Sequence, residues 1–303
     1  MQTTNHILMI RPVDFKFNAQ TAGNNKFQQA SAQNDVQDQA LKEFDDFVTV
    51  LRDNGIDVTV INDTLDPETP DSIFPNNWVS FHENGDIFLY PMFSENRRQE
   101  RRDDILEQLG KRFNIERIND LSGYELEEIY LEGTGSMVLD RKNKICYACL
   151  SLRTDEQVLN DWCEKAGYQP VSFIANDAEG FPIYHTNVMM CIADKYAVIC
   201  LDTITNPEEQ KKVIQSLENT SKEIITIDLD QMNHFAGNML QVKNKNGLSL
   251  LVMSEQAYLS LSQDQVNRLE QYNKLVYSPL NTIETNGGGS ARCMLAEIHL
   301  AEK

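Results

Sequence analysis

The chain has 303 residues, of which 41% are hydrophobic, enough for a sizeable core in one large domain or two ordinary ones. A formal net charge of −19 argues against nucleic acid and anionic membrane surfaces as partners and supplies solubility. No run approaches the roughly 20 apolar residues of a membrane span, and the opening "MQTTNHILMI" has no signal-peptide pattern, so a cytoplasmic location is expected.

In chain order, "HILMI" (6–10) reads as a strand, about 35–54 as a helix and "IDVTVI" (56–61) as a strand. "NNWVSFHENGDIFLYPM" (76–92) is a hairpin around Asn84–Gly85. A polar helix over 94–112 follows, then the strand "NIERI"; its "RRQERRDD" (97–104) reads as a solvated face. The plan recurs as hairpins over 135–150, 186–201 and 238–253. Helices over 154–166, 206–219 and 262–272 follow them, each with a short strand behind. The chain finishes on the lone strand "MLAEIHL" (294–300).

The repeated unit is thus strand, strand, helix, strand. Asn77, Glu132, His185, Asn238 and Cys293 open the units, at intervals of 55, 53, 53 and 55 residues. Five such units form a solenoid or a ring. The split fifth unit, one part at each end of the chain, favours a ring closed by pairing the terminal segments, which hides exposed sheet edges. In a ring, equivalent positions face one centre, so Glu132, His185 and Cys293 converge there, a set suited to nucleophilic catalysis.

Six cysteines, mostly in apolar runs, read as free thiols in a reducing compartment. "CYAC" (146–149) has metal-ligand spacing, but on a strand its two thiols point to opposite faces, so no metal is expected. His82, His234 and His299 show no clear partners, and His234 reads as a loop residue at the pocket rim at most. Arg292, beside the cysteine, either binds a substrate carboxylate or pairs with an acid.

The motifs "FPNN" (74–77), "LEGTGS" (131–136), "YHTN" (184–187) and "GGGSARC" (287–293) stand in the order of the guanidino-group-modifying enzymes. Over about 6–300 the chain resembles this superfamily, the five-bladed pentein α/β propellers, and most closely its bacterial branch named for citrulline utilisation. The resemblance implies an α/β propeller of five ββαβ units making one catalytic domain over 1–303. It implies Cys293 as nucleophile, His185 as general acid/base and Glu132 as the carboxylate that binds substrate nitrogen, with no cofactor. Asn77, Asn187, Asn238, Arg292 and Gly288 are the further candidates for contact with a small guanidino or ureido substrate. Arginine deiminases carry acids where this chain has Asn77 and Asn187. An amide both donates and accepts, so it suits a neutral ureido oxygen better than a carboxylate does. Hydrolysis of citrulline, or of arginine through citrulline to ornithine, is the expected reaction. Amidino transfer and plain arginine deimination stand as alternatives, and a non-catalytic binding ring as the rival from another class. Oligomeric state is left open.

Overall fold

The computed structural model describes residues 1–30 and 35–303. Among these, fifteen strands form five three-stranded sheets. β3 (Val79–Phe81), β4 (Asp86–Leu89) and β5 (Arg117–Asp120) make one, and β6 (Val138–Asp140), β7 (Ile145–Cys149) and β8 (Gln169–Phe173) the next. They are followed by β9 (Met190–Ile192), β10 (Tyr196–Ile199) and β11 (Glu223–Thr226), and by β12 (Leu240–Lys243), β13 (Ser249–Ser254) and β14 (Lys274–Ser278). In each, the first two strands pair antiparallel and the last two parallel, as a hairpin and a helical crossover require. The fifth sheet joins the two ends of the chain: β15 (Ala296–Ile298) pairs antiparallel with β1 (His6–Arg11), which pairs parallel with β2 (Asp57–Asn62).

The crossover helices follow their patterning. Helix Glu156–Ala166 starts at Asp155, whose carboxylate accepts from the Gln157 and Val158 amides, and it buries Val158, Leu159, Trp162 and Cys163. Helix Gln263–Glu270 carries a capping box between Ser262 and Gln265. Neighbouring sheets meet through their first strands: β15 lies against β3, β6 against β9, and β9 against β12. Alternation on β7 sends Cys146 and Cys149 into different core clusters, as the "CYAC" spacing predicts for a strand. No helix among the described residues is long and apolar enough to cross a membrane.

Two expectations need correction. The helix over 94–112 is two helices, Glu95–Arg98 and Asp103–Gly110. Between them the chain turns so that Arg101 reaches the Tyr90 carbonyl at 2.9 Å and the Glu125 carboxylate at 2.6 Å. The hairpins over 135–150 and 186–201 begin later than expected. Gly133–Ser136 and Thr186–Met189 are helical turns, the first fixed where the Glu132 amide donates to Ser136 Oγ at 2.9 Å.

Candidate active site

Helix Asn281–Gly287 ends in the glycine run. Gly288 takes φ +65°, a conformation that side-chain-bearing residues avoid, and its amide closes the helix on the Glu284 carbonyl at 3.0 Å. A Cβ on Gly289 would stand 2.9 Å from the Phe74 ring, so only glycine lets the loop lie on that aromatic face. Ser290 Oγ donates to Glu284 Oε1 at 2.5 Å. The loop then turns through Ala291–Met294, which carries Cys293. The Asn238 and Asn187 amides point at Cys293 Sγ from 3.3 and 3.5 Å, and Asn238 Oδ1 accepts the Arg292 amide at 3.0 Å.

Glu132 and His185 each head a short helical turn and make no side-chain cap bond, so both side chains are free to point inward. His185 Nε2 meets Glu132 Oε2 at 2.8 Å, and Glu132 Oε1 accepts the Phe93 amide at 3.0 Å. Arg153 and Arg97 stand 3.4 and 3.9 Å from the same carboxylate. Burial alone would raise the Glu132 pKa, but Arg153, the His185 bond and Arg97 together hold it well below the usual carboxylate range. Burial pushes His185 down to about 4 against the opposing pull of Glu132. At neutral pH the pair is therefore carboxylate and neutral imidazole. With Nε2–H donating to Glu132, Nδ1 is left as the basic nitrogen. The His185 ring packs on Tyr184 with centroids 4.7 Å apart, and the Tyr184 hydroxyl donates to the Gly288 carbonyl at 2.7 Å.

Cys293 and His185 line one small cavity, of about 10 Å³, together with Arg97, Arg153, Asp71 and Asn77. Thr21 and Asn25 line it too, from a segment, residues 18–29, that is tied down beside it. Asn25 Nδ2 donates to the Gly288 carbonyl at 3.3 Å, the Gln29 amide donates to the Thr285 carbonyl at 2.6 Å, and Arg153 donates to the Thr21 carbonyl at 3.1 Å and to Asn24. A larger pocket of about 540 Å³ lies on the other side of Arg153 and Tyr184. It contains none of Cys293, His185 and Glu132.

Asn77 lines the inner cavity, with its Oδ1 accepting from Arg97 at 2.9 Å and its Nδ2 donating to Asn76 at 3.1 Å. Gly288 lines it too. Asn187 and Asn238 stand behind Cys293 and outside the lining, where they face the sulfur. Arg292 turns away, donating to the Leu295 carbonyl at 2.7 Å and to Glu297 at 2.9 Å, so the acid-pairing alternative describes it and a substrate contact does not. His82 and His299 do have partners, Ser80 at 2.9 Å and Glu297 at 3.4 Å. His234 caps a helix, on the Asp230 carbonyl at 2.8 Å, and lines neither pocket at this site.

Sequence reasoning missed Arg97, Asp71, Arg153 and Tyr184. Arg97 belongs to the run read as a solvated face, yet it is 2% exposed and grips Glu100 with two bonds, at 2.8 and 2.9 Å. Asp71 Oδ2 accepts from Asn18 at 2.8 Å, while its buried Oδ1 has no hydrogen-bond partner. Only Tyr184 carried a signal, as the residue before the histidine in "YHTN".

A loop-borne thiol, a neutral histidine on a buried carboxylate and two arginines thus stand around one small cavity. Solved structures share this fold. The N-terminal domain of ArgZ, an arginine dihydrolase from the ornithine-ammonia cycle in Cyanobacteria, superposes with a TM-score of 0.76 at 15% identity, over 97% of each chain. Against the whole of ArgZ the match covers 97% of this chain and 40% of that one, with a TM-score of 0.73 and 15% identity. A dimethylarginine dimethylaminohydrolase adduct with S-methyl-L-thiocitrulline superposes with a TM-score of 0.67 at 15% identity, over 98% of this chain and 100% of that one. No curated protein matches the sequence. Fold and relatives define a pentein of the guanidino-group-modifying class, hydrolases of guanidino carbon–nitrogen bonds. Residues 11–300 match the model of the family N,N-dimethylarginine dimethylhydrolase, eukaryotic, and the chain belongs to that family.

Proposed function

We propose that the chain is a single catalytic domain of five units closed as a propeller, and that it hydrolyses a small ureido or guanidino amino acid through a covalent bond to Cys293. The observation that carries this is that Cys293 and His185 line one small cavity while Glu132 holds His185 from behind. Citrulline is the leading substrate, with arginine, taken through citrulline to ornithine, beside it.

His185 Nδ1 takes the Cys293 thiol proton, and the thiolate adds to the carbamoyl carbon of citrulline, whose carbonyl electrons move onto oxygen. Collapse of the adduct expels the δ-nitrogen, which leaves as ornithine with the proton from His185. An S-carbamoyl thioester remains. His185 then deprotonates a water that attacks this carbon and expels the thiolate. Carbamate is released and decays to ammonia and carbon dioxide. Glu132 stabilises the imidazolium each time it forms. Arginine would lose ammonia first, give citrulline, and pass through the same steps again.

Asn77, a neutral amide in the cavity, supports the ureido substrate. The free Oδ1 of Asp71 supports a cationic group in the same cavity and keeps arginine in view. Arg153, which lines both pockets, is suited to the substrate carboxylate once residues 18–29 lift away. A cavity of about 10 Å³ admits no amino acid without that movement.

Citrulline, arginine, agmatine, succinylarginine and dimethylarginine, supplied separately, should discriminate, with ornithine, citrulline and ammonia measured. Ornithine from citrulline is expected, and its loss in Cys293→Ala. All six cysteines are buried, but alkylation should reach Cys293 first, because it lines the cavity, while Cys149 and Cys191 are pushed up to about 12 by burial. Undiminished turnover by Cys293→Ala would end the covalent route. Arginine converted with citrulline accumulating, and citrulline itself inert, would leave a plain deiminase.

A further inference from the structure

A second pocket, of about 170 Å³, shares no lining residue with the cavity of Cys293. Arg141, Lys144, His82, His299 and Tyr168 line it. The Arg141 side chain is 7% exposed, and among the described residues its one ion pair is with Glu297 at 3.6 Å, beyond hydrogen-bonding distance. Its other polar contact is the Tyr168 side chain, so most of the five N–H donors of this buried guanidinium lack a close partner, which is costly.

Glu297 cannot neutralise the group. The same carboxylate serves Arg292 at 2.9 Å and His299 at 3.4 Å, so one negative charge is divided between two buried guanidiniums. Burial takes His299 down to about 4, so at neutral pH it adds no charge. Lys144 brings a further cation, with Nζ 4.5 Å from the centre of the Tyr168 ring. Two acids also line the pocket and are paired: Glu83 with the Met1 amino group, itself in the lining, and Asp86 with Asn84 at 2.8 Å and Arg117 at 3.6 Å. The lining thus holds three cationic groups, Arg141, Lys144 and the Met1 amino group, against two carboxylates, a small positive excess in a chain of net charge −19.

We propose that this pocket binds a small oxyanion, a phosphate or a short carboxylate, between Arg141 and Lys144. The volume suits a compact ion with a few waters, at roughly 30 Å³ for each water. Arg141 supplies a planar fork and Lys144 a mobile point charge, a pairing that oxyanion sites use.

The test is calorimetric titration of the full chain with inorganic phosphate and, separately, with succinate. Saturable binding of one of them at one site is expected, and which one binds distinguishes the two sources. Lys144→Asn should weaken that binding about tenfold or more. Asparagine tolerates the left-handed backbone at this position, where φ is +56°, so the variant should fold. Arg141→Gln, if it folds, should abolish binding. Saturation by neither ion, or an affinity that Lys144→Asn leaves unchanged, overturns the proposal; in the second case the ion sits with Arg97 and Arg153 beside Cys293.

Discussion

Glu132 Oε2 lies 2.8 Å from His185 Nε2 across a sequence separation of 53 residues. That is one repeat, so the two residues come from neighbouring units and meet only when the units pack side by side. The contact orients the imidazole and sets its tautomer, and Arg153 and Arg97 keep the carboxylate charged. Glu132→Gln keeps the shape and removes the charge. Without that charge His185 loses the partner that stabilises its protonated form. A fall in kcat of about 10²-fold or more is expected, with KM changed much less. Steady-state kinetics on the folded variant check this, and a kcat near that of the parent would show that the carboxylate only fills space.

Acid should destabilise the protein early. His185 and His299 are buried and each is pushed down to about 4 from 6.5. A histidine depressed on folding contributes stability that is complete above its unfolded pKa and is lost as pH falls through the folded value. The window is therefore pH 6.5 down to 4. Each histidine contributes on the order of 3 kcal/mol across it. Urea unfolding at a series of pH values measures the slope. His299→Asn, which cannot charge, should flatten that slope by about one proton. A variant as pH-sensitive as the parent would show that His299 does not titrate on unfolding.

The loop that carries Cys293 should tolerate almost nothing at Gly289. A methyl group there would stand 2.9 Å from the Phe74 ring and 3.3 Å from Cys293 Cβ. Phe74 is itself 3% exposed, with little room to yield. Gly289→Ala should cost about 1–3 kcal/mol of stability as overpacking and at least tenfold in turnover as the sulfur moves. Thermal melts and kinetics on one sample separate the two effects. Unaltered kinetics would mean that the position of the sulfur does not depend on this loop.

Much of the architecture was legible because hairpins announce themselves. Turn residues at Asn84–Gly85 and Asn246–Gly247, flanked by apolar runs, mark sheet units whatever the tertiary setting. The near-constant spacing then brought Glu132, His185 and Cys293 to notice together. Their phase is looser than the spacing implies. Asn77, Asn238 and Cys293 sit at the foot of a strand, whereas Glu132 and His185 stand a helical turn earlier. Arg97 and Asp71 were hidden for a physical reason. Besides Glu100 within the run, Arg97 is held by partners distant in sequence, Asn77 and the Phe74 carbonyl, and one member of "RRQERRDD" looks like any other until those partners are known.

On the proposed reaction, the choice of substrate should turn on Asn77. Its side chain lines the cavity and is held at both ends, Oδ1 by Arg97 and Nδ2 by Asn76. Asn77→Asp should therefore keep its place and tighten its hold on Arg97, while replacing a donor edge with a second acceptor. An acceptor facing a ureido oxygen is repulsive, whereas facing a guanidinium it is attractive. Citrulline hydrolysis should fall by roughly 30- to 1,000-fold, the equivalent of about 2–4 kcal/mol for a lost hydrogen bond and an opposed acceptor pair. Any first-step activity on arginine should fall less, so the variant should accumulate citrulline where the parent releases ornithine. Asp71 makes the comparison sharper. Asp71 lines the cavity and its buried Oδ1 has no hydrogen-bond partner, so if that atom serves a cation, added negative charge at position 77 would act on the uncharged substrate above all. Product ratios from arginine and from citrulline, measured on parent and variant under the same conditions, decide the matter. Equal losses on both substrates would show that Asn77 holds Arg97 in place and takes no part in choosing between a ureido and a guanidino group.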